Sequence, residues 1–267
     1  MRFMPCLTSL ILPLIVGLPS LAGDEKTDGW RPLFNGKDLT GWYTFLQKHG
    51  KNSDPDRVIA IEDGMIRLYR HAKDKSEVVM GYIGTEKEYG DYHLRLQYRW
   101  GEKKFRPRHE MKRDAGLYYH INGPDAVWPR ALQLQIQQTD VGDLIALYGF
   151  QLNTWIDPKT REENPPTFLD PDKGGVDRVL GGVVAGKGSI AYQKRLPGGF
   201  EVDGWNTVEV IAKGDAVTHI LNGHVVNRGK NVRLNGSPIV RGRIALEIEA
   251  AELDFRNVEI RDLEASR

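Results

Sequence analysis

Apolar and polar residues alternate along much of the chain. In Tyr92-His93-Leu94-Arg95-Leu96-Gln97-Tyr98-Arg99-Trp100 every even position is apolar and every odd one polar. A strand points successive side chains to opposite faces, so this run predicts one buried and one wet face. Leu132, Leu134 and Ile136 alternate with Gln133, Gln135 and Gln137 in the same way, and Ile244, Leu246 and Ile248 oppose Arg243, Ala245, Glu247 and Glu249. Over residues 115–121, Leu117, Tyr119 and Ile121 are expected on one face, with Tyr118 and His120 on the other. Asn222-Gly223 and Asp63-Gly64 sit between such runs and predict two-residue hairpin turns. In the last run the phase slips, from odd at Leu253 and Phe255 to even at Val258 and Ile260, which predicts a bulge near Arg256-Asn257. No amphipathic helix of useful length is found. Strands recurring at short spacing predict an all-β sandwich. Two segments, 101–114 and 156–177, break the rhythm and read as long loops, either functional or plain solvated excursions.

The N-terminus changes the picture of the compartment. Arg2 precedes an apolar run over residues 7–18, and Ser20-Leu21-Ala22 then places small residues where a signal peptidase reads. A signal peptide over 1–22 is expected, because the apolar run falls short of the ~20 residues that span a bilayer. A linker over 23–29, a single sandwich domain over 30–263 and a tail over 264–267 follow, and the mature protein is expected in the periplasm or secreted. No later segment reads as a membrane span. The only cysteine, Cys6, precedes the apolar run, which argues against a lipid anchor. It leaves with the signal, so the mature chain has no thiol chemistry. Loss of Arg2 takes the formal charge from +1 to zero, and a neutral chain exerts no general pull on nucleic acid or membrane. The 29 glycines and 14 prolines suit a turn-rich β protein.

Several motifs fail on spacing or context. His109-Glu110 lacks the second histidine of a zinc-protease helix, and there is no Gly-x-Ser-x-Gly elbow. Gly186-Lys187-Gly188 lacks the strand-then-helix setting of a dinucleotide loop and reads as a β-turn. Asp170, Asp172 and Gly175 echo a calcium loop whose fifth and twelfth positions are Gly174 and Gly181, so the acidic ligands are missing. The basic stretch 103–113 has one aromatic, Phe105, which is poor for nucleic-acid binding. Asp140, Asp143 and the histidines show no metal-ligand spacing, so no metal site is expected and the cofactor requirement is left open.

The polar strand faces are left to carry the chemistry. Gln133, Gln135 and Gln137 form a row, Trp128-Pro129-Arg130 leads into it, and Asp140 and Asp143 follow it. Amides and carboxylates hydrogen-bond vicinal hydroxyls, and flat rings stack on C–H faces, so the pattern points to a sugar, unless the row is simply wet surface.

A family resemblance sharpens this. Leu33-Phe34-Asn35-Gly36-Lys37-Asp38-Leu39-Thr40-Gly41-Trp42 is similar to the opening signature of the 3-keto-disaccharide hydrolase domain family, formerly DUF1080. The likeness recurs in order at Tyr89-Gly90-Asp91-Tyr92, Asp114-Ala115-Gly116-Leu117-Tyr118-Tyr119, Val127-Trp128-Pro129-Arg130, Gly204-Trp205-Asn206, Leu221-Asn222-Gly223 and Phe255-Arg256-Asn257-Val258. It implies a concanavalin A-like jelly-roll sandwich with a ligand on the concave sheet. It also implies cleavage of glycosides oxidised at C3, by elimination and hydration. A 3-keto group acidifies the C2 proton, a base removes it, and the C1 substituent departs. Where the family strand usually reads Glu-x-Gln this chain has Gln133-Leu134-Gln135, and it carries Glu247 where the family often has Gln. The expected catalytic set is therefore Glu249 as the remaining base, with His120 and Gln133, the latter in the place of the family carboxylate. Asp114, Tyr118, Trp128, Arg130, Gln135, Gln137, Asp140, Asp143 and Lys194 are expected to bind substrate. His219, alternating with Val217 and Leu221, reads as a buried, hydrogen-bonded histidine or a further acid–base group. Two functions compete: an enzyme cleaving 3-keto glycosides, and a lectin-like binding protein that lost catalysis at Gln133. On the second reading Gln133→Glu should raise activity.

Overall fold

The computed structural model describes Met1 and residues 28–184, 187–188 and 190–264. The expected signal peptide, apart from Met1, lies outside these residues, as do Gly186 and the end of the tail. The fold is a concanavalin A-like jelly-roll sandwich of two large antiparallel sheets. Among the described residues one sheet has nine strands, running in space Ile190–Gln193, Leu144–Leu147, Leu132–Gln137, Asp114–Ile121, Arg241–Ile248, Gly81–Thr85, Trp42–Leu46 and Gly50–Lys51, with Tyr89–Gly90 pairing off this path. The other has eleven strands, centred on Tyr92–Lys104 and Ala251–Asp262. No described helix is long and apolar enough to cross a membrane.

The alternation translates directly into burial. Tyr92, Leu94, Leu96 and Tyr98 are buried and their odd-numbered neighbours are not. They meet Leu117, Leu134, Ile136, Leu246 and Ile248 from the nine-stranded sheet in one core. Burial of each such side chain contributes roughly 1.5–3 kcal/mol. Asn222 and Gly223 both have positive φ, as do Asp63 and Gly64, which is the backbone that a twist-matched two-residue hairpin needs. The last strand bulges between Arg256 and Glu259, with Asn257 at φ 50°, where the apolar phase slips.

Three strands of the nine-stranded sheet behave differently. Asp114–Ile121, Leu132–Gln137 and Arg241–Ile248 are buried on both faces near their middles. Their apolar side chains fill the core. Their polar ones turn to the sheet's outer face, where Tyr43, Tyr82, Tyr118, Ile121 and Leu147 form a second, smaller apolar cluster. A strand whose polar face is also covered has that face inside a walled hollow, and this is where the chemistry gathers.

Candidate active site

Five polar side chains from those strands and their flanks are nearly inaccessible: Asp114, Gln133, Gln135, Glu247 and Glu249. All five border a cavity of about 320 Å3, lined also by Arg108, Trp128, Leu147, Tyr148, Ile190 and Tyr192. That volume is at the low end of the ~300–1,000 Å3 typical of small-molecule sites, and it suits one sugar ring.

Strand register brings the acids together. Gln133 lies opposite Tyr118, Gln135 opposite Gly116 and Gln137 opposite Asp114, while Asp114 bridges to Glu249 in the next strand's extension. The glutamine row is a chain of donors. Gln137 Nε2 donates to Asp114 Oδ2 at 2.8 Å and Gln135 Nε2 to Asp114 Oδ1 at 2.7 Å. Gln133 Nε2 donates to Gln135 Oε1 at 2.6 Å and to Glu247 Oε2 at 2.8 Å. Tyr118 donates its hydroxyl to Glu247 Oε1 from beneath. These bonds are possible because Gly116 has no side chain: a Cβ there would overlap Gln133 Nε2 and Glu247 Oε2. Gly116→Ala is therefore expected to displace that pair and weaken ligand binding in the cavity at least about tenfold, roughly 1.4 kcal/mol, with the sheet's circular dichroism intact.

One cation serves two acids. Arg108 folds back from the segment after the Tyr92–Lys104 strand, pairs Nη1 with Glu249 Oε1 at 2.9 Å and donates Nη2 to Asp114. Its Nε is buried with no acceptor. Burial and the charges of Glu249 and Asp114 hold the Glu247 pKa well above the carboxylate range. Burial also raises Glu249, but Arg108, a hydrogen bond from Glu247 and the Trp128 side chain pull it back. Asp114 is raised to about 7 by burial and by Glu249, against the Arg108 charge. Neighbouring carboxyls pushed apart in this way divide into an acid and a base. Of the two, Glu247 is pushed up further, and Glu249, facing the guanidinium, has its charged form favoured.

Trp128 reaches the cavity from the segment between two strands, and that segment is pinned to the sheet through Asp125. Tyr82 and Tyr43 donate hydroxyls to Asp125 Oδ1 at 2.6 and 2.7 Å, and Arg243 Nη1 lies at 3.0 Å. Burial works to raise the Asp125 pKa, but these bonds and the Arg243 charge bring it below its usual value.

Of the residues expected from sequence, Glu249, Gln133, Asp114, Trp128 and Gln135 line the cavity. Tyr118 and Gln137 act one layer back, on Glu247 and Asp114. Arg130 is exposed beyond the rim. Lys194 pairs with Glu163 at 3.6 Å, Asp140 with Lys112 at 2.5 Å, and Asp143 accepts from the Arg195 amide at 2.7 Å, all away from the cavity. His120 needs correcting. It has φ 54°, and the pairing of Asp114–Ile121 with Arg241–Ile248 shifts register beside it, so the alternation inverts. His120 turns into the core against Tyr92 and Tyr119, and Ile121 takes the outer face. Both His120 nitrogens are buried without a partner, and burial lowers its pKa to about 4. His219 is buried too, with Nε2 2.8 Å from the Tyr119 hydroxyl.

The His120 shift carries a stability consequence. Its folded pKa lies below the ordinary 6.5, so the unfolded chain takes up the proton first. Stability is full above pH 6.5 and falls towards pH 4, by on the order of 3 kcal/mol for this residue. His120→Phe is expected to remove its share of that acid limb, leaving the share of His219, which burial also lowers to about 4, and to raise stability at pH 7 by about 1 kcal/mol, since two unsatisfied nitrogens are removed. Urea unfolding at pH 7 and 4.5 reads both effects.

Sequence reasoning overlooked Arg108, Tyr148 and Tyr192 and did not place Glu247 among the site residues. Nothing local distinguishes Arg108 from the other cations of its segment. Glu247 shared a polar face with Glu249, which was the available signal. Among the described residues no group of three or more histidine, cysteine or acidic side chains is arranged to hold a metal ion.

The fold and the acid-lined hollow define a jelly-roll β-sandwich protein with a small-molecule-sized polar cavity on one sheet. The chain belongs to the 3-keto-alpha-glucoside-1,2-lyase-like domain family, which matches residues 29–261, and it is a carbohydrate-active protein on that ground. A candidate glycosyl hydrolase from Parabacteroides distasonis ATCC 8503 shares the fold at 22% identity, over 91% of this chain and 98% of its own, with a TM-score of 0.53. A second candidate glycosyl hydrolase from the same organism aligns at 16% identity over 88% of this chain and 99% of its own, with a TM-score of 0.51. No curated protein matches the sequence.

Proposed function

We propose that the protein cleaves 3-keto glycosides by elimination followed by hydration. The observation that carries this reading is the convergence of Glu247 and Glu249 on one cavity, with Glu249 alone of the two paired to Arg108. The binding-only alternative rested on Gln133 standing where the resemblance implies a carboxylate. Glu247, where it implies an amide, is 2.8 Å from that glutamine, so acid and amide have exchanged strands and a carboxyl still borders the cavity.

The chemistry gives the two groups different roles. The Glu249 carboxylate takes the C2 proton, which the neighbouring ketone acidifies. The electron pair moves onto the C3 oxygen, where the guanidinium charge of Arg108 favours it. The enolate collapses to a C1–C2 double bond, the C1–O bond breaks, and Glu247 gives its proton to the departing oxygen. Water then adds at C1 and delivers a proton to Glu247, while Glu249 returns its proton to C2. Both groups regain their starting states, and the net reaction is hydrolysis. Tyr118 and Gln133 position Glu247. Trp128, Tyr148 and Tyr192 offer faces on which a pyranose stacks.

Turnover is expected to rise with pH through the Glu249 pKa and fall through that of Glu247. Both limbs lie above the ordinary carboxylate range. The test is a panel of 3-keto glucosides and their unoxidised parents, with aglycone release followed by chromatography. Release from the 3-keto series alone is expected. Binding of the same compounds without release would return the lectin-like reading. We also propose that the protein works outside the cytoplasm, on the strength of residues 1–22. The N-terminus of the exported protein is then expected at Gly23, and an intact Met1 on exported material would refute this.

A further inference from the structure

The wall on one side of the acidic cavity is also the wall of a second one. Ile190 and Tyr192 border both. The second cavity, about 490 Å3, is completed by Pro165, Val179, Leu180 and Ala191, with Asn164 and Arg178 adding polar side chains to the Tyr192 hydroxyl. It lies where the two sheets' edge strands pack together, Val176–Gly181 from the eleven-stranded sheet and Ile190–Gln193 from the nine-stranded one.

Two features of this place are costly without a ligand. Edge strands are normally guarded by charge, yet Val179, Ile190 and Tyr192 are 51%, 42% and 44% exposed. Large apolar side chains grouped at a rim mark a contact surface. Arg178 Nη1 is buried and has no acceptor, and an unsatisfied buried donor of a charged group is expensive. An incoming group with a flat apolar body and an anionic end would relieve both. The body would lie against Tyr192, Ile190 and Val179. The end would meet the planar guanidinium, which matches a carboxylate in shape as well as charge. A second sugar ring fits less well, because it needs several hydrogen-bonding side chains and, among the described residues, this cavity's wall is mainly apolar.

We propose that the second cavity is the leaving-group site and that it takes an aromatic aglycone bearing a carboxylate. This rests on the cleavage reading above, since it assigns the acidic cavity to the sugar and the adjoining one to what departs. Arg178 acts there as a specificity determinant.

The test compares two 3-keto glucosides, one with a 4-carboxyphenyl and one with a 4-carbamoylphenyl aglycone, which differ in charge and little in size. The carboxyphenyl compound is expected to show a kcat/KM about tenfold higher, the scale of one charge-assisted hydrogen bond. Arg178→Met is expected to erase that preference, and Arg178→Lys to keep part of it. Calorimetry with the unoxidised 4-carboxyphenyl glucoside reads the same contact without catalysis, and its affinity is expected to fall about tenfold in R178M. If the 3-keto compounds are not cleaved but binding keeps its dependence on Arg178, the anion site stands and the cleavage reading falls. If both compounds are cleaved and bound alike, or R178M lowers both equally, the aglycone assignment is overturned.

Discussion

Glu249→Gln is expected to reduce aglycone release from a 3-keto glucoside by about 10²–10⁴-fold, the range over which a positioned general base contributes. The amide has nearly the shape of the carboxylate. It can still accept from Arg108 and from Glu247, so the cavity keeps its form and loses the group assigned to take the C2 proton. Substrate binding should change little, which places the loss in kcat. The acid limb of the pH profile should vanish with it, because that limb reports the deprotonation of Glu249. A variant that keeps wild-type turnover, or loses it only through KM, would remove Glu249 from the base role.

The second large effect concerns the acid. Glu247→Gln should cost a similar factor, because the leaving oxygen then has no proton donor, and the alkaline limb should disappear. Gln133→Glu should also lower activity. Its carboxylate would face the Gln135 Oε1 and Glu247 Oε2 atoms that Gln133 Nε2 now serves. This reverses the expectation drawn from sequence, where Gln133 alone stood for a lost carboxylate. The double variant is the decisive one. With Glu at 133 and Gln at 247 the acid and amide are again in contact, with their strands exchanged, and the amide can donate to the acid. Residues that touch couple by about 0.5–3 kcal/mol. Recovery of at least about tenfold over Glu247→Gln, a coupling of ~1.4 kcal/mol, is expected. Additive losses would mean that the cavity needs its carboxyl on the Arg241–Ile248 strand itself.

Much of this molecule was legible from alternation, because period-two burial is a backbone property. Leu132, Leu134 and Ile136 went to the core, and Gln133 and Gln135 to the cavity, as their positions dictate. The turns at Asn222-Gly223 and Asp63-Gly64 were equally local. His120 was misread because a single residue at φ 54° inverts the phase, and no residue type announces that at a histidine. Asp140, Asp143 and Lys194 adjoin the right strands in sequence, but their side chains find partners at the sheet's edge. Arg108 was invisible for the opposite reason. It belongs to a segment that alternation does not describe, and only tertiary packing selects it to meet Asp114 and Glu249.

The account depends on a proton leaving C2, and a substrate deuterated at that carbon tests this most directly. In single-turnover reactions the 2-deuterio 3-keto glucoside should release its aglycone several-fold more slowly than the protium form, and Glu249→Gln should abolish release from both. Equal rates for the two isotopologues, with Glu249→Gln still active, would mean that the C1–O bond is broken without C2 and that these carboxyls do something else.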